Sequence, residues 1–284
     1  MKSLPALGAT GIVFRAVHCV HQGEYAVKLL VGVSPADKDR IAQFEREAKA
    51  MAGLTHQNIA RVVDYGRTED DIFYYSMEYL RPGLSLEQLV RRHGVLPPER
   101  AIYLLKQICS ALGSAHGKGI VHRDIKPANI MICERGGVWD VVKVVDFGLA
   151  GSLAAATEAN PADEARGFKN PRRIIGTPEY MSPEQSVGAP ATAASDIYSL
   201  GATAHFMLTA EPPTFPSSDQ GGIPAELQAI VLRCLAERPT DRFTSVGQLE
   251  NALAACQWAD PWNPLKAMHW WQEKVLNTMG AAEC

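Results

Sequence analysis

The change in hydrophobic pattern near residue 80 constrains the fold of this chain more than any other feature of its sequence. Before that point, runs rich in β-branched and aromatic residues are typical of strands, as in Ile12–Val17, Tyr25–Leu30 and Ile72–Met77. One helix is predicted among these strands, from the N-cap residue Ser34 to Gly53. Beyond residue 82 the apolar residues recur at helical spacing. The pattern therefore predicts an α+β fold, in which a small strand-rich unit precedes a larger, mainly helical unit.

The helical part of the chain is interrupted by strands and by one long loop. Its clearest apolar stripe comprises Leu104, Leu105, Ile108, Leu112 and Ala115. Further helices are predicted over Ile197–Leu208, Leu227–Leu235 and Val246–Ala255. Residues 149–176 have no sustained periodicity and are expected to form a loop, and loops of this length are usually functional or disordered.

Composition excludes several classes of function. The net charge of −3 gives no indication of a nucleic-acid-binding field. No apolar run is long enough to span a membrane, and no apolar run follows Lys2 as in a secretory signal. The six cysteines lack zinc-ligand spacing, so we expect free thiols in a reducing compartment and a cytoplasmic protein.

The segment His122–Asn129 is the strongest motif in the chain. It resembles the catalytic loop of protein kinases, in which His-Arg-Asp is followed by a lysine and an asparagine. In this family Asp124 would accept the proton of the attacking hydroxyl, and Lys126 would contact the transferred phosphoryl group. Asn129 would offer an amide oxygen to Mg²⁺. A lysine at the position of Lys126 marks Ser/Thr rather than Tyr specificity in the family.

The resemblance extends to the residues that bind the phosphates of ATP. Asp146 begins an Asp-Phe-Gly motif behind the apolar strand Val141–Val145, and it would ligate Mg²⁺. Lys28, in an Ala-Val-Lys strand, would contact the α- and β-phosphates. Its partner is expected to be Glu47 on the following helix, with Glu45 as the alternative.

A glycine-containing loop would cover the nucleotide. The family pattern has three glycines before a valine, and here Gly8, Gly11 and Val13 match it while Ala6 replaces the first glycine. Glycines at these positions let the backbone approach the phosphates closely. Weakened rather than abolished ATP binding is therefore expected.

The adenine ring would be bound by further residues of the resemblance. The segment that contains Met77, Glu78 and Leu80 corresponds to the hinge, which binds adenine through backbone hydrogen bonds. Ala26 and Met131 are expected to line the adenine site, with Met131 under the ring.

Residues 176–184 resemble the end of a kinase activation segment, and structural pairs are expected around it. Glu184 should form a buried ion pair with Arg242. Asp196 should hold the backbone of the catalytic loop.

The activation loop departs from the family pattern. Between residues 158 and 176 it has no Ser, Thr or Tyr that could be phosphorylated and then pair with Arg123. One hypothesis is that Asp163 or Glu164 replaces the phosphate. The alternatives are that Thr157 is the phosphorylated residue, or that the loop needs no anion.

Two further segments differ from the family. Residues 209–223 are short and rich in Pro, Ser and Gly, so the helix that usually docks substrates is expected to be missing. The tail, residues 257–284, is expected to contain an aromatic-rich amphipathic helix, with the stripe Leu265, Met268, Trp271, Val275 and Met279. Four of the five tryptophans lie in it, and it would either pack on the helical unit or dock a partner through residues 258–279.

Together these features predict a bilobal protein kinase-like fold that resembles bacterial receptor-type Ser/Thr kinases. The expected boundaries are 1–80 for the N-lobe, 81–256 for the C-lobe and 257–284 for the tail. The expected function is transfer of the γ-phosphoryl group of ATP to a Ser or Thr hydroxyl of a protein substrate, with Mg²⁺. The alternative is a pseudokinase or scaffold that binds nucleotide and partners without turnover.

Overall fold

A computed structural model describes residues 6–8, 11–29, 45, 48–70, 72–147, 178–213, 222–256 and 260–276. The chain divides into two compact units. The first unit comprises Met1–Thr55, Ala60–Tyr79 and Asp146–Pro178, and the second comprises His56–Ile59, Leu80–Val145 and Glu179–Cys284. The expected boundaries at residues 80 and 256 stay predictions.

The first unit is built on an antiparallel sheet of five strands in the order β1-β2-β3-β5-β4. The strands are β1 (Ala6–Gly8), β2 (Gly11–Val17), β3 (Glu24–Leu29), β4 (Val62–Arg67) and β5 (Phe73–Glu78). Residues 45 and 48–52 are helical, and they belong to the helix that was predicted to end at Gly53. Ala48 is fully buried, as expected for a residue on the inner face of an amphipathic helix.

Strand pairing in this sheet places Lys28 between one residue of β2 and one residue of β5. Lys28 lies opposite Val13 on β2 and opposite Tyr75 on β5. Side chains alternate across a strand, and on β5 the alternate residues Phe73, Tyr75 and Met77 are buried. Lys28 and Tyr75 are therefore adjacent positions of one sheet, and each is only 1% exposed.

The second unit combines a small antiparallel sheet with helices. The sheet has the strand order β6-β7-β8, with β6 (Leu84–Ser85), β7 (Ile130–Arg135) and β8 (Val138–Val144). The α-helices are α1 (Leu86–His93), α2 (Pro98–His116), α3 (Pro183–Ser186), α4 (Ala193–Thr209), α5 (Ala225–Cys234), α6 (Val246–Ala255) and α7 (Pro264–Trp271).

Helix α2 is the centre of the core of this unit. All five residues of its predicted stripe, Leu104, Leu105, Ile108, Leu112 and Ala115, are 2% exposed or less. Proline lies at the first helical position, where its missing N–H costs no hydrogen bond. Residues Ser195 to Leu208 of α4 are all buried, so this stretch has no solvent-facing side, and polar residues such as Asp196 are buried within it.

Side-chain caps fix where several of the helices begin, and reciprocal side-chain pairs of one kind precede α1 and α4. The Ser85 hydroxyl accepts a hydrogen bond from the Gln88 N–H, and the Gln88 side chain accepts one from the Ser85 N–H, so α1 starts with a capping box. Thr192 and Ser195 form the corresponding box before α4. After α4, residues 214–221 lie outside the described residues, so the predicted loss of the docking helix stays a prediction.

The described part of the tail is packed within the second unit. Asn263 caps α7, and a single π-helical turn, Gln272–Leu276, follows it. Trp271 and Val275 of the predicted stripe are buried, but Leu265 is 59% exposed and Ala267 is buried in its place. This difference arises because the short helix presents a face centred on Ala267 and Trp271. Packing in cis is confirmed for the described residues, while partner docking stays a prediction; Trp258 and Met279 lie outside them.

The expectation of free, buried thiols is met at three of the described cysteines and is wrong for one. Cys109, Cys133 and Cys234 are buried free thiols, whereas Cys19 is exposed. None of the described helices is both long enough and apolar enough to cross a bilayer.

Candidate active site

Three predicted catalytic residues meet around one carboxylate in the second unit. The Asp124 carboxylate accepts hydrogen bonds from Lys126 Nζ, at 3.0 Å to Oδ1 and 2.8 Å to Oδ2. The Asn129 amide donates to Asp124 Oδ2 at 3.0 Å and to the Asp124 backbone oxygen at 2.8 Å. Because Asn129 Nδ2 faces Asp124, its amide oxygen is the atom that can bind a cation.

A buried aspartate on helix α4 holds the backbone of this loop. The two carboxylate oxygens of Asp196 accept the N–H groups of His122 and Arg123, each at 2.8 Å. His116 Nε2 lies 2.8 Å from the same carboxylate. Arg123 has a φ of 70°, a left-handed conformation that is unfavourable for a residue with a side chain and that these bonds stabilise. The predicted role of Asp196 is confirmed.

His122 links the catalytic loop to the residue before Asp146. Its Nδ1 accepts the Asp124 N–H at 3.3 Å, which places the imidazole proton on Nε2, 3.0 Å from the Val145 carbonyl oxygen. The Val145 N–H donates in turn to the Asn129 carbonyl at 3.0 Å. His122 is fully buried, so it has a structural rather than a chemical role here.

The first unit contains the predicted phosphate-binding lysine and the predicted metal ligand. Lys28 Nζ donates to Asp146 Oδ2 at 2.7 Å, and the lysine side chain is 2% exposed while that of Asp146 is 24% exposed. The hydroxyl of Tyr75 donates to the other carboxylate oxygen, Oδ1. The Asp146 carboxylate thus accepts one charged and one neutral donor.

Of the two glutamates predicted as partners of Lys28, only Glu45 lies among the described residues. Glu47 lies outside the described residues, so its role stays a prediction. The alternative, Glu45, is exposed and forms an ion pair with Arg67 at 3.6 Å, so it is not the lysine's partner. The described partner of Lys28 is Asp146, which comes 118 positions later.

The predicted glycines and most of the predicted hinge residues lie on strands of the five-stranded sheet. Gly8 ends β1 opposite Gly11, which begins β2. Ala26 lies opposite Met77, which is 8% exposed. Further along, the Glu78 N–H and carboxylate bond to the backbone of Arg61, at 3.1 Å and 2.9 Å respectively.

The remaining predicted adenine-site residues belong to the second unit. Leu80 and Met131 are half-buried, and Met131 lies on β7 opposite Ser85.

The activation segment from residue 148 to 177, with Thr157, Asp163 and Glu164, lies outside the described residues. The hypotheses about its phosphorylation stay open.

The predicted ion pair after the activation segment is confirmed. Glu184 accepts two hydrogen bonds from the Arg242 guanidinium, at 2.7 Å and 2.8 Å, and Arg242 is 1% exposed. Arg242 also donates to the carbonyl oxygens of Ala194, Ala236 and Glu237. Burial alone would raise the pKa of Glu184, but hydrogen bonds from Arg242, from the backbone and from Ser195 outweigh it and lower the pKa to about 2.

This ion pair predicts acid sensitivity of the second unit. Because the pKa of Glu184 is about 2 in the folded state and 4.5 in the reference state, its stabilisation is complete above pH 4.5 and is lost as the pH falls towards 2. Glu184→Gln should lower the free energy of unfolding at neutral pH by about 2 kcal/mol. Urea unfolding from pH 6 to pH 3 should show a smaller loss of stability in the variant. An identical pH dependence in the two proteins would contradict this assignment.

One contact in the site and one buried cluster outside it were not predicted from the sequence. Tyr75 donates to Asp146, and the only sequence signal for it is the alternation that places it on the buried face of β5. The Asp140 carboxylate is fully buried. Both of its oxygens accept a hydrogen bond from Arg100, and each also accepts one from an indole N–H, Trp262 at Oδ2 and Trp271 at Oδ1. No local pattern around Asp140 indicates those partners.

Comparison with known proteins places this geometry in a family. The model of the protein kinase domain matches residues 7–254. The chain is 35% identical over 276 residues to serine/threonine-protein kinase pkn3 of Myxococcus xanthus, which covers 90% of this chain and 49% of that protein. It is 33% identical to PrkC of Bacillus subtilis over 87% of this chain and 39% of that protein. The chain therefore spans about half or less of the length of these curated relatives.

A solved structure gives the same result for the fold. The crystal structure of the Mycobacterium tuberculosis PknI kinase domain matches with a TM-score of 0.66 and 28% identity, over 88% of this chain and 92% of that one. The α+β kinase fold, with a β-sheet unit and a mainly helical unit, is thus confirmed. With its catalytic-loop hydrogen bonds and these matches, the chain belongs to the Ser/Thr protein kinase family.

Proposed function

We propose that this chain transfers the γ-phosphoryl group of ATP to Ser or Thr hydroxyls of proteins. The observation that carries the proposal is the hydrogen-bonded group of Asp124, Lys126 and Asn129 on a backbone held by Asp196. It combines an acceptor for the hydroxyl proton, a cation for the phosphoryl group and an oxygen ligand for Mg²⁺. The family supports the same activity.

The catalytic residues Asp124 and Lys126 have distinct roles in the proposed reaction. The substrate hydroxyl oxygen attacks the γ-phosphorus, the bond from phosphorus to the ADP oxygen breaks, and Asp124 accepts the hydroxyl proton. Lys126 is only 9% exposed and bonds both oxygens of Asp124, so it orients the base and stabilises the charge of the transferred group.

The residues present fit a hard divalent cation bound together with nucleotide phosphates. Asp146 and Asn129 offer a carboxylate and an amide oxygen, which are the ligand types that Mg²⁺ prefers. When bound, Mg²⁺ would neutralise phosphate charge. Lys28 would contact the phosphates, and its bond to Asp146 supports this role because it holds the ammonium beside the proposed Mg²⁺ ligand.

The other predicted nucleotide contacts complete the proposal. Gly8, Gly11 and Val13 would cover the phosphates, and Ala26 and Met131 would line the adenine ring. The hinge, with Met77, Glu78 and Leu80, would bind its edge through the backbone. Glu47 would support Lys28.

The test is phosphoryl transfer from γ-labelled ATP to the chain itself and to a basic carrier protein. Transfer should require Mg²⁺, and hydrolysis of the labelled product should release phosphoserine or phosphothreonine without phosphotyrosine. Nucleotide binding with no transfer would instead favour the pseudokinase alternative. Label on tyrosine alone would contradict the Ser/Thr assignment.

A further inference from the structure

The phenol of Tyr75 is a polar group placed on the buried face of a strand. Tyr75 is 1% exposed and alternates along β5 with the buried side chains of Phe73 and Met77. A phenolic O–H in such a position is costly unless it finds an acceptor. The burial of this hydroxyl therefore requires a specific partner.

That partner is the predicted metal ligand. The Tyr75 hydroxyl donates to Asp146 Oδ1, while Lys28 Nζ donates to Oδ2 at 2.7 Å. The two donors reach the carboxylate from paired positions, because Lys28 and Tyr75 lie opposite each other on β3 and β5. Lys28 Nζ also lies 5.9 Å from the centroid of the Tyr75 ring. Two paired residues of neighbouring strands thus hold both oxygens of Asp146.

The phenol keeps its proton under ordinary conditions. Burial, then the charge of Asp146 and the hydrogen bond to it, raise the pKa of Tyr75 well above its usual value of 10.0. Tyr75 is therefore a neutral donor to Oδ1 at neutral pH. Unlike Lys28, a neutral phenol has little attraction for phosphate.

The backbone of Asp146 makes these side-chain bonds more significant. Its φ is 61°, a left-handed conformation that costs free energy for a residue with a side chain. The orientation of the carboxylate therefore depends on groups that hold it in place. Tyr75 supplies the contact that ATP phosphates do not compete for.

We propose that Tyr75 is a positioning residue for the Asp146 carboxylate. Its hydroxyl would hold Oδ1 with and without nucleotide, whereas Lys28, which now donates to Oδ2, would contact the phosphates when ATP is bound; Asp146 would be one of the residues that hold Mg²⁺. This inference rests on the proposed function, because it assigns a role within the same nucleotide and metal site. It deepens that function by naming a residue that sets the affinity for Mg²⁺.

The test compares two tyrosines of the same strand. Tyr75→Phe removes the hydroxyl on Asp146, and Tyr74→Phe is the matched control, because Tyr74 donates to the exposed Asp64 at 3.0 Å. Binding of a fluorescent ATP analogue is titrated with Mg²⁺. Loss of a group that orients a metal-binding carboxylate should raise the half-saturating Mg²⁺ concentration about tenfold in Tyr75→Phe. The control should match the wild type.

Additional measurements separate the inference from its alternatives. Binding of the analogue in EDTA should be the same in all three proteins. An unchanged Mg²⁺ requirement would show that Tyr75 only fills space, and a lowered one would show that its hydroxyl competes with the metal; either result overturns the proposal. If Tyr75→Phe does not fold, Tyr75→Met is titrated instead, with the same criteria.

The same titration distinguishes failure of the inference from failure of the proposed function. A wild-type protein that binds the analogue with Mg²⁺ and a Tyr75→Phe variant that binds it equally well would overturn the role of Tyr75 alone. A wild-type protein whose nucleotide binding does not respond to Mg²⁺ would overturn both.

Discussion

The Asp124→Asn protein is expected to transfer phosphoryl groups about 10²–10⁴-fold more slowly than the wild type. The amide has the shape of the carboxylate, but it cannot accept the proton of the attacking hydroxyl. It also weakens the bonds from Lys126, which reach both oxygens of Asp124 at 2.8 Å and 3.0 Å. The measurement is the rate of labelled phosphate transfer at saturating ATP and Mg²⁺.

The effect should be confined to the chemical step. Asp124 is not among the proposed nucleotide contacts, so the affinity for ATP should change little. Asp64→Asn is the control, because it makes the same substitution at an exposed carboxylate whose described partner is the hydroxyl of Tyr74 on the neighbouring strand. Equal transfer rates for Asp124→Asn and the wild type would exclude Asp124 as the base.

Asp140→Ala is expected to be the most destabilising substitution in the second unit. Arg100 donates to both oxygens of Asp140 at 2.7 Å and 2.8 Å, and both residues are fully buried. The indole N–H groups of Trp262 and Trp271 donate to the same carboxylate at 2.9 Å and 2.6 Å. The variant would leave a buried guanidinium and two indoles without their acceptor. A loss of about 5 kcal/mol of unfolding free energy follows.

Urea unfolding compares this variant with a surface ion pair. Asp241 pairs with Arg238 at 2.8 Å, but both side chains are well exposed, so Asp241→Ala should cost about 1 kcal/mol or less. Similar shifts of the unfolding midpoint for the two variants would contradict the account of Asp140. A loss of tail packing on unfolding should also change the fluorescence of the buried Trp271.

The catalytic loop could be predicted from the sequence because its parts are neighbours along the chain. Asp124, Lys126 and Asn129 lie in one short segment, and the bonds between them span two to five positions. The ion pair of Glu184 with Arg242 was also predictable, although only through the family resemblance. The residue types of Glu184 and Arg242 and their order in the chain match the family pattern, and this match was sufficient to predict the pair.

Contacts between distant positions could not be predicted in the same way. Asp140 bonds Arg100, Trp262 and Trp271 across 40, 122 and 131 positions. The sequence around each of these residues does not distinguish it from other polar or aromatic residues of the chain. The stripe in the tail indicated packing, but it placed the exposed Leu265 inside. A short helix that is anchored by polar bonds to one buried carboxylate does not follow a simple apolar period.

The partner of Lys28 illustrates the limit within the site. Family order predicted Glu47 on the next helix as its partner, which stays a prediction, but it did not indicate the described contact with Asp146, reached across 118 positions. Tyr75 was identified as a strand residue but not as a donor to Asp146. Its role depends on the register between β3 and β5, which a sequence pattern does not specify.

The most direct measurement of the central claim is phosphate transfer by the wild type and Asp124→Asn proteins in parallel, with the modified residues mapped by mass spectrometry. The wild type is expected to phosphorylate Ser or Thr residues in a Mg²⁺-dependent reaction, and the variant almost not at all. No transfer by a wild-type protein that binds ATP and Mg²⁺ would contradict this claim.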